Sequence, residues 1–514
     1  MKLDELLKQN KIEVENYNAG QKLTMPDGTV KWLVDKKPNN PAMTTDRYQF
    51  TMMAVYVEAG KADDTATFSA FYRKNPFNGG FAIACGLEQV IDYIKNLEFT
   101  KDDIELMKKW NMPDSFYKYL EDFKFRGDIW AVPEGTMVQP YEPVIQVTAP
   151  LPIANFVETY VLNQLGFASL VATKATRMYY QAEEGSIDAE KPPKHPILEF
   201  GLRRVQGGIE GGLIATRAAY IGGCVGSSNV LAEQVYGIPS KGTCAHSMTM
   251  AFDSEYEAFK AYAEIFRDKS VFLIDTYGYM HGIENAVKVS KELGINPSGV
   301  RDDSGDLAWQ SKVMRGILDE NGFENTKIVV SNDLDEKLIA SLRQQGAAID
   351  LYGIGTKLAT ADGSPSLGIV YKLAEINNRP VIKLSGSREK VTDPGRKQVY
   401  RTKNSHGYFA GDVMALENEK LEGAVETMHR MDDIETKKLD MDNAKPLLVP
   451  IFKDGVLVYE KPSIQEIRKN TLRNLQGCWP EMLRTENPAA YWVGLSPELA
   501  EVKNELIEKY KIRK

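Results

Sequence analysis

Histidine and cysteine are scarce in this 514-residue chain, which has five of the first and four of the second. The cysteines (Cys85, Cys224, Cys244 and Cys478) lie far apart and form no CxxC pair. They are expected to be reduced, mostly buried thiols of a cytoplasmic protein. No HxxxH or HExxH pattern occurs, which argues against a histidine-built metal centre. No run of about 18 apolar residues is present, which excludes a membrane-spanning helix. The N-terminal "MKLDELLKQNKIEVENYNAG" has no apolar segment of the secretory kind. No long basic block stands out and the net charge is −8, so nucleic-acid binding is not expected as the main role.

What the chain does contain is a globular composition, 43% hydrophobic and 26% charged, and enough length for two or three domains. Residues 1–40 are polar, end in "DKKPNN", and read as a leader arm. Residues 41–150 mix short helical and strand patterns and predict an α+β domain. In it "TTDRYQFTMMAVYVEAG" is helical, with Thr44, Thr45 or Asp46 as its cap. "ATFSAFYRKNPF" alternates as a strand, and "GDIWAVPEGTMVQPYEPVIQVTAP" holds two or three strands. The span 151–385 carries a different rhythm, and 386–514 reads as an accessory C-terminal region with a basic loop, "SGSREKVTDPGRKQVYR".

That rhythm is strand, polar end, helix. "PILEFGLRR", "VFLIDTYG", "GVRDDSGD", "KIVVSNDLD" and "LYGIGTKLAT" each begin apolar and end polar. The end residues Asp275, Asp303, Asn332 and Gly355 are 28, 29 and 23 positions apart. A parallel βαβ unit needs about that length of chain. The series predicts a (β/α) barrel or an open parallel sheet. In either architecture the carboxyl strand ends converge on one rim, where ligands bind.

Several of these ends carry chemistry. Backbone N–H groups of "GIGTKLAT" (Gly355, Thr356, Thr360) suit a phosphate, although an ordinary glycine turn looks the same. In "GVRDDSGD", alternation sends Arg301 and Asp303 to one face and Asp302 to the other. An arginine beside a carboxylate can hold an anionic substrate, or can be a plain salt bridge. Arg203 and Arg204 suit phosphate recognition or simple solvation, and "GSSN" (226–229) resembles an anion-binding turn at a helix start. In "GTCAHSMTM", His246 is by default a packed core histidine. The small residues Gly242, Thr243, Ala245 and Ser247 around it nevertheless leave room for a ligand, and a neutral imidazole is a competent nucleophile.

Taken together, "TTDRYQFTM", "FYRKNPFNGGFAIACGLEQVIDY", "LEFGLRRVQG", "TRAAYIGGCVGSSNVLA", "GTCAHSMTM", "RDDSGDLAWQSK", "VVSNDLDE" and "YGIGTKLAT" resemble, in that order, the nicotinate phosphoribosyltransferase family. The resemblance runs from about residue 43 to 460. It implies an irregular α/β barrel with an N-terminal α+β domain, and a homodimer with active sites at the interface. The implied reaction joins nicotinate to 5-phosphoribosyl 1-diphosphate (PRPP), giving nicotinate mononucleotide and diphosphate in NAD biosynthesis. ATP and Mg²⁺ are implied as co-substrate and cofactor, with His246 transiently phosphorylated.

The resemblance also implies roles for single residues. Arg301 contacts nicotinate or PRPP, Asp303 lies near the ribose and the metal, and Gly355, Thr356 and Thr360 form the 5′-phosphate site. Tyr48 is lent across the dimer to stack on the pyridine, and Phe200 forms the opposite stacking face. Arg203 contacts phosphate, Thr243 contacts nicotinate, and Ser247 belongs to the same binding set. Asp302 departs from the family pattern, which has an apolar residue there; alternation turns it away from the ligand, so little effect on mechanism is expected.

Nicotinamide as acceptor would favour a carboxylate partner in the pocket, and quinolinate a denser basic pocket. A barrel lyase or isomerase would need a Schiff-base lysine, with Lys241, Lys357 and Lys372 as candidates. A non-catalytic nucleotide or phosphate sensor would release no diphosphate.

Overall fold

The structure, a computed structural model, describes residues 11–17, 20–26, 30–33, 40–431 and 434–511. Of the expected leader arm, the strands Glu13–Tyr17, Gly20–Thr24 and Val30–Leu33 pair as an antiparallel three-stranded sheet. The rest of that arm lies outside the described residues.

A seven-stranded antiparallel sheet forms around Thr65–Phe71, the strand expected from its alternation. Every residue of that strand after Thr65 is buried, so both faces are covered. Ile145–Pro150 pairs on one side and Val370–Ile376 on the other. Phe68 and Tyr371 stack across the second pair with ring centroids 4.9 Å apart. Distant segments thus close one sheet: Val370–Ile376 and Val449–Lys453 both return to strands from the first third of the chain. The helix expected in "TTDRYQF…" runs over Arg47–Glu58. Asp46 stands at its cap position without a side-chain bond to the helix backbone, and instead accepts from Thr159 Oγ1 at 3.1 Å.

The 25-residue helix Glu158–Ala182 is the core of the molecule, buried on all sides from Ala168 to Tyr179. Its buried Thr, Lys and Arg side chains are therefore partnered. Thr173 and Thr176 return their hydroxyls to the carbonyls of Ser169 and Ala172, and Lys174 and Arg177 pair with Glu336 at 2.7 and 3.1 Å. The helix packs against Gly208–Ile221, whose Arg217 is buried against Glu134 and Glu88 at 2.7 and 2.6 Å.

The site is carried by a six-stranded parallel sheet. Its strands are β1 (Ile197–Glu199), β2 (Gly226–Ser227), β3 (Val271–Leu273), β4 (Gly299–Asp302), β5 (Lys327–Val330) and β6 (Leu351–Ile354). Their hydrogen-bonded order is β2-β1-β6-β5-β4-β3, every pair parallel. The helices expected between them run over Glu255–Phe266, Tyr279–Leu293, Leu307–Glu320 and Glu336–Gln344.

Downstream, a second six-stranded sheet and the helices Ile464–Gln476 and Pro497–Tyr510 complete the mixed α/β fold. Lys397, from the expected basic loop, is buried and donates to the carbonyls of Asp393 and Gly395 at 2.9 and 2.6 Å. No helix among the described residues is long and apolar enough to cross a membrane. Cys85, Cys224 and Cys478 are buried, Cys244 is half-buried, and all four are free thiols.

Candidate functional site

The carboxyl ends of β3, β4 and β5 bring together residues far apart in sequence. Arg301, on β4, is the hub. Its Nη1 donates to Thr243 Oγ1 at 2.6 Å and to the Cys244 carbonyl at 3.2 Å, and its Nε donates to Ser331 Oγ at 3.1 Å. Ser331 in turn donates to Asp303 Oδ1, and Asp303 Oδ2 lies 3.9 Å from Arg301 Nη2. Arg301 and Asp303 thus share a face, as alternation along β4 requires. Asn332, next along the rim, holds a left-handed backbone with φ of 94°, a strained geometry for a non-glycine residue.

His246 begins the short helix His246–Met250 and reaches this cluster from the side. Its Nε2 faces two carboxylates, Asp303 Oδ2 at 3.8 Å and Asp275 Oδ1 at 3.9 Å. Its Nδ1 faces Thr276 Oγ1 at 3.3 Å. The ring is 40% exposed whereas Asp275 is 4% exposed, so the imidazole is accessible and Asp275 is not. Asp275 is itself fixed by Ser304, whose hydroxyl donates to Oδ2 at 2.7 Å. Neighbouring Asp302 is fully buried, and neither of its oxygens has a side-chain hydrogen-bond partner. Burial first and Asp275 second push its carboxyl up to about 7.

The other sequence-derived positions fall around this centre. Phe200 follows β1 and packs on the β6 backbone so closely that a Cβ on Gly353 would lie 2.5 Å from its ring. Gly355 precedes the short helix Thr356–Ala359, and Thr360 donates its hydroxyl to the Thr356 carbonyl at 2.7 Å. Thr360 also lines a cleft of about 720 Å³, with Gln206, Gly207, Tyr236 and Ser364. Arg203, Arg204 and Ser247 are exposed. Tyr48 is not tied into the Arg301 cluster. It is 47% exposed, its hydroxyl donates to Glu158 at 3.1 Å, and partial burial followed by Glu158 pushes that phenol up to about 12.

Two sequence readings acquire different content. The "GSSN" turn already holds an anion from within the chain: Ser227 Oγ donates to buried Glu199 at 2.6 Å, Thr216 donates to the same carboxylate at 3.1 Å, and Asn229 caps the next helix. Lys357 is tied to Asp335 at 2.8 Å, and that hydrogen bond raises its ammonium above the usual lysine range. A Schiff-base lysine needs the opposite shift. Asp275 was marked in the sequence as a strand end. Ser331 and Thr276 carried no signal of their own there, because their roles rest on contacts 28 and 30 residues away.

Comparison with known proteins decides between the remaining alternatives. Three family models match along the chain: the nicotinate phosphoribosyltransferase N-terminal domain over residues 43–166, the family itself over 196–411, and the C-terminal domain over 396–503. The chain belongs to the nicotinate phosphoribosyltransferase family. A member from Bacillus subtilis is 40% identical over 488 residues, covering 93% of this chain and 97% of that protein. One from Caenorhabditis elegans is 35% identical, covering 89% and 92%. Among solved structures, human nicotinic acid phosphoribosyltransferase matches with a TM-score of 0.79 at 31% identity, covering 90% of this chain and all of that one. A nicotinate-nucleotide pyrophosphorylase from Pyrococcus furiosus matches with a TM-score of 0.65 at 25% identity, covering 87% and 99%. The family models and the Arg301 cluster overlap: Thr243, His246, Asp275, Arg301, Asp303 and Ser331 all lie within residues 196–411.

Proposed function

We propose that this chain is a nicotinate phosphoribosyltransferase of NAD biosynthesis. It joins nicotinate to PRPP, giving nicotinate mononucleotide and diphosphate, and turns over ATP through a phosphohistidine at His246. The observation that carries the reading is the Arg301 cluster, in which a guanidinium, two hydroxyls and a carboxylate converge beside an exposed imidazole.

In the transfer step the pyridine nitrogen attacks C1 of PRPP, the bond from C1 to the diphosphate oxygen breaks, and diphosphate leaves with the electron pair. Positive charge develops on the ribose at C1. Asp303, oriented by Ser331, supplies a fixed negative charge for it, while Arg301 and Thr243 hold the anionic acceptor. A guanidinium and hydroxyls suit the carboxylate of nicotinate better than the neutral amide of nicotinamide. Phe200 supports an aromatic face for the ring, and Tyr48 of a second copy the other. The exposed apolar side chains Ile209, Val230 and Val235 support such a homodimer. Gly355, Thr356 and Thr360 line the 5′-phosphate end, with Arg203 and Ser247 exposed at the same rim.

For the ATP half-reaction, the two carboxylates at Nε2 favour the tautomer with the proton on that nitrogen and leave the lone pair on Nδ1. Nδ1 then attacks the γ-phosphorus, the bridging P–O bond breaks, and ADP leaves. Water later hydrolyses the phosphohistidine to phosphate. Among the described residues no group of three or more His, Cys, Asp or Glu side chains forms a metal cage. Magnesium in this reading arrives with the phosphates, which need only one or two protein carboxylates beside them to hold it.

The same reading takes the six-stranded sheet as the wall of an irregular barrel between an N-terminal α+β part and a C-terminal accessory part. Support comes from the segment after β2, in which Ser240 bridges to Ser227 and the Cys244 carbonyl accepts from Arg301, so that it spans from β2 towards the β3–β4 edge. Free thiols throughout fit a cytoplasmic enzyme. Purified protein given nicotinate and PRPP, with ATP and Mg²⁺, is expected to release diphosphate and nicotinate mononucleotide in equal amounts; absence of both removes the reading.

A further inference from the structure

We propose that Glu255 is a positioning residue for His246: through His281 and Asn285 it clamps the segment that carries the imidazole to the segment that carries Asp275 and Thr276. The inference rests on the reading of His246 as the phosphoryl acceptor.

His246 opens a helix of five residues, His246–Met250, in which only Thr249 is buried. A helix this short does not hold its shape by itself in water, and the residues after it, 251–254, are all exposed. The segment therefore takes its position from its two ends. At the entrance Arg301 bonds Thr243 and the Cys244 carbonyl. At the exit stands Glu255, the first residue of Glu255–Phe266, with a side chain that is 0% exposed. Its Oε2 lies 2.9 Å from both His281 Nδ1 and Asn285 Nδ2.

Both partners belong to Tyr279–Leu293, the helix that follows Asp275 and Thr276 in the chain. Gly282 presses the first turn of that helix onto the end of β3: a Cβ there would lie 1.9 Å from the Ile274 carbonyl oxygen. Residues 246–255 and 275–285 are thus joined twice. His246 Nδ1 meets Thr276 Oγ1 at 3.3 Å, and Glu255 meets His281 and Asn285.

The second junction is a costly one if stability is its only role. Glu255 Oε1 is buried with no hydrogen-bond partner among the described residues, and His281 is 62% exposed, so neither partner is a buried cation. A well-packed apolar side chain would hold two helices together at least as well. What the carboxylate adds is direction, because two hydrogen bonds to one oxygen fix the register of one helix start on the other. The imidazole needs that, since a misplacement of about 1 Å at a reacting group costs about 10²-fold in rate.

The test compares the full chain with two variants: His281→Ala/Asn285→Ala, which removes both partners of the carboxylate, and Glu255→Gln, whose amide oxygen keeps both bonds. Phosphohistidine formation from ATP is expected to be about 10²-fold slower in the double variant, while ATP-independent transfer from PRPP keeps its rate. Glu255→Gln is expected to retain most of the phosphorylation. Equal loss of both activities in the double variant marks a purely structural role and overturns the proposal, as does unchanged phosphorylation. NMR on protein with ¹³C-labelled histidine rings and threonine methyls, without substrate, reads the clamp directly. A nuclear Overhauser contact between the His246 ring and the Thr276 methyl is expected in the unmodified protein and in Glu255→Gln, and is expected to be lost in the double variant. Its survival there overturns the proposal. His281→Ala alone removes an exposed ring and gives the same comparison where the double variant does not fold. The NMR contact needs no ATP, so a His246 that takes no phosphoryl group and a His246 that is not clamped are told apart.

Discussion

Arg301 and Thr243 are 58 residues apart in the chain and joined by a 2.6 Å hydrogen bond from guanidinium to hydroxyl. That bond, with the one to the Cys244 carbonyl, ties the segment leading into His246 to the end of β4, so the arginine proposed to bind the acceptor and the histidine proposed to take the phosphoryl group are positioned together.

Replacing Arg301 by Ala is expected to lower kcat/KM for nicotinate by about 10²–10³-fold, because a half-buried guanidinium with three hydrogen bonds is removed beside a carboxylate. Arg301→Lys should recover little, since an ammonium cannot bond Thr243, Cys244 and Ser331 in the planar fork. Steady-state kinetics on both variants checks this, and near-normal activity of the lysine variant speaks against the role.

His246→Ala is expected to abolish labelling by γ-³²P-ATP, the label in the unmodified protein being acid-labile and base-stable. Undiminished labelling of the variant moves the acceptor elsewhere. Basal transfer from PRPP should survive in this variant at a reduced rate, since Arg301 and Asp303 remain.

The buried Arg217–Glu134 pair sets a stability prediction. Burial alone would raise the Glu134 carboxyl, but the Arg217 charge and hydrogen bonds outweigh it and hold it below the usual carboxylate range. A carboxyl lowered in the folded state contributes stability that is present at neutral pH and is lost as pH falls through about 4.5 and below. Glu134→Gln should therefore cost about 3–5 kcal/mol at pH 7 by denaturant unfolding, with the deficit shrinking towards pH 3. A constant deficit across that range contradicts the pairing.

Incubation with a keto-sugar phosphate and borohydride should leave the protein unlabelled, because Asp335 holds Lys357 as a cation. Labelling at Lys357 shows that the pair opens.

Parts of this were legible in the sequence for clear physical reasons. Asp275, Asp303 and Asn332 end apolar runs at βαβ spacing, and a strand end is a local property. The shared face of Arg301 and Asp303 follows from the two-residue period of a strand. The antiparallel pairing of Val370–Ile376 with Thr65–Phe71 was not legible, since nothing local records which distant strand a strand joins. Nor was Glu199 as the occupant of the Ser227–Asn229 turn, because an internal carboxylate and an external phosphate ask for the same hydroxyls and N–H groups. Asp302 read as a bystander turned from the ligand. Its full burial, which together with the Asp275 charge raises its carboxyl, was not legible there.

The most direct measurement is product analysis of the purified chain with PRPP, ATP and Mg²⁺, offered nicotinate and nicotinamide in parallel. The account predicts nicotinate mononucleotide and an equal amount of diphosphate from the first, and at least 10²-fold less product from the second, in line with about 2.7 kcal/mol for the charge-assisted hydrogen bonds to a carboxylate. Equal turnover of both acceptors, or no diphosphate from either, contradicts it.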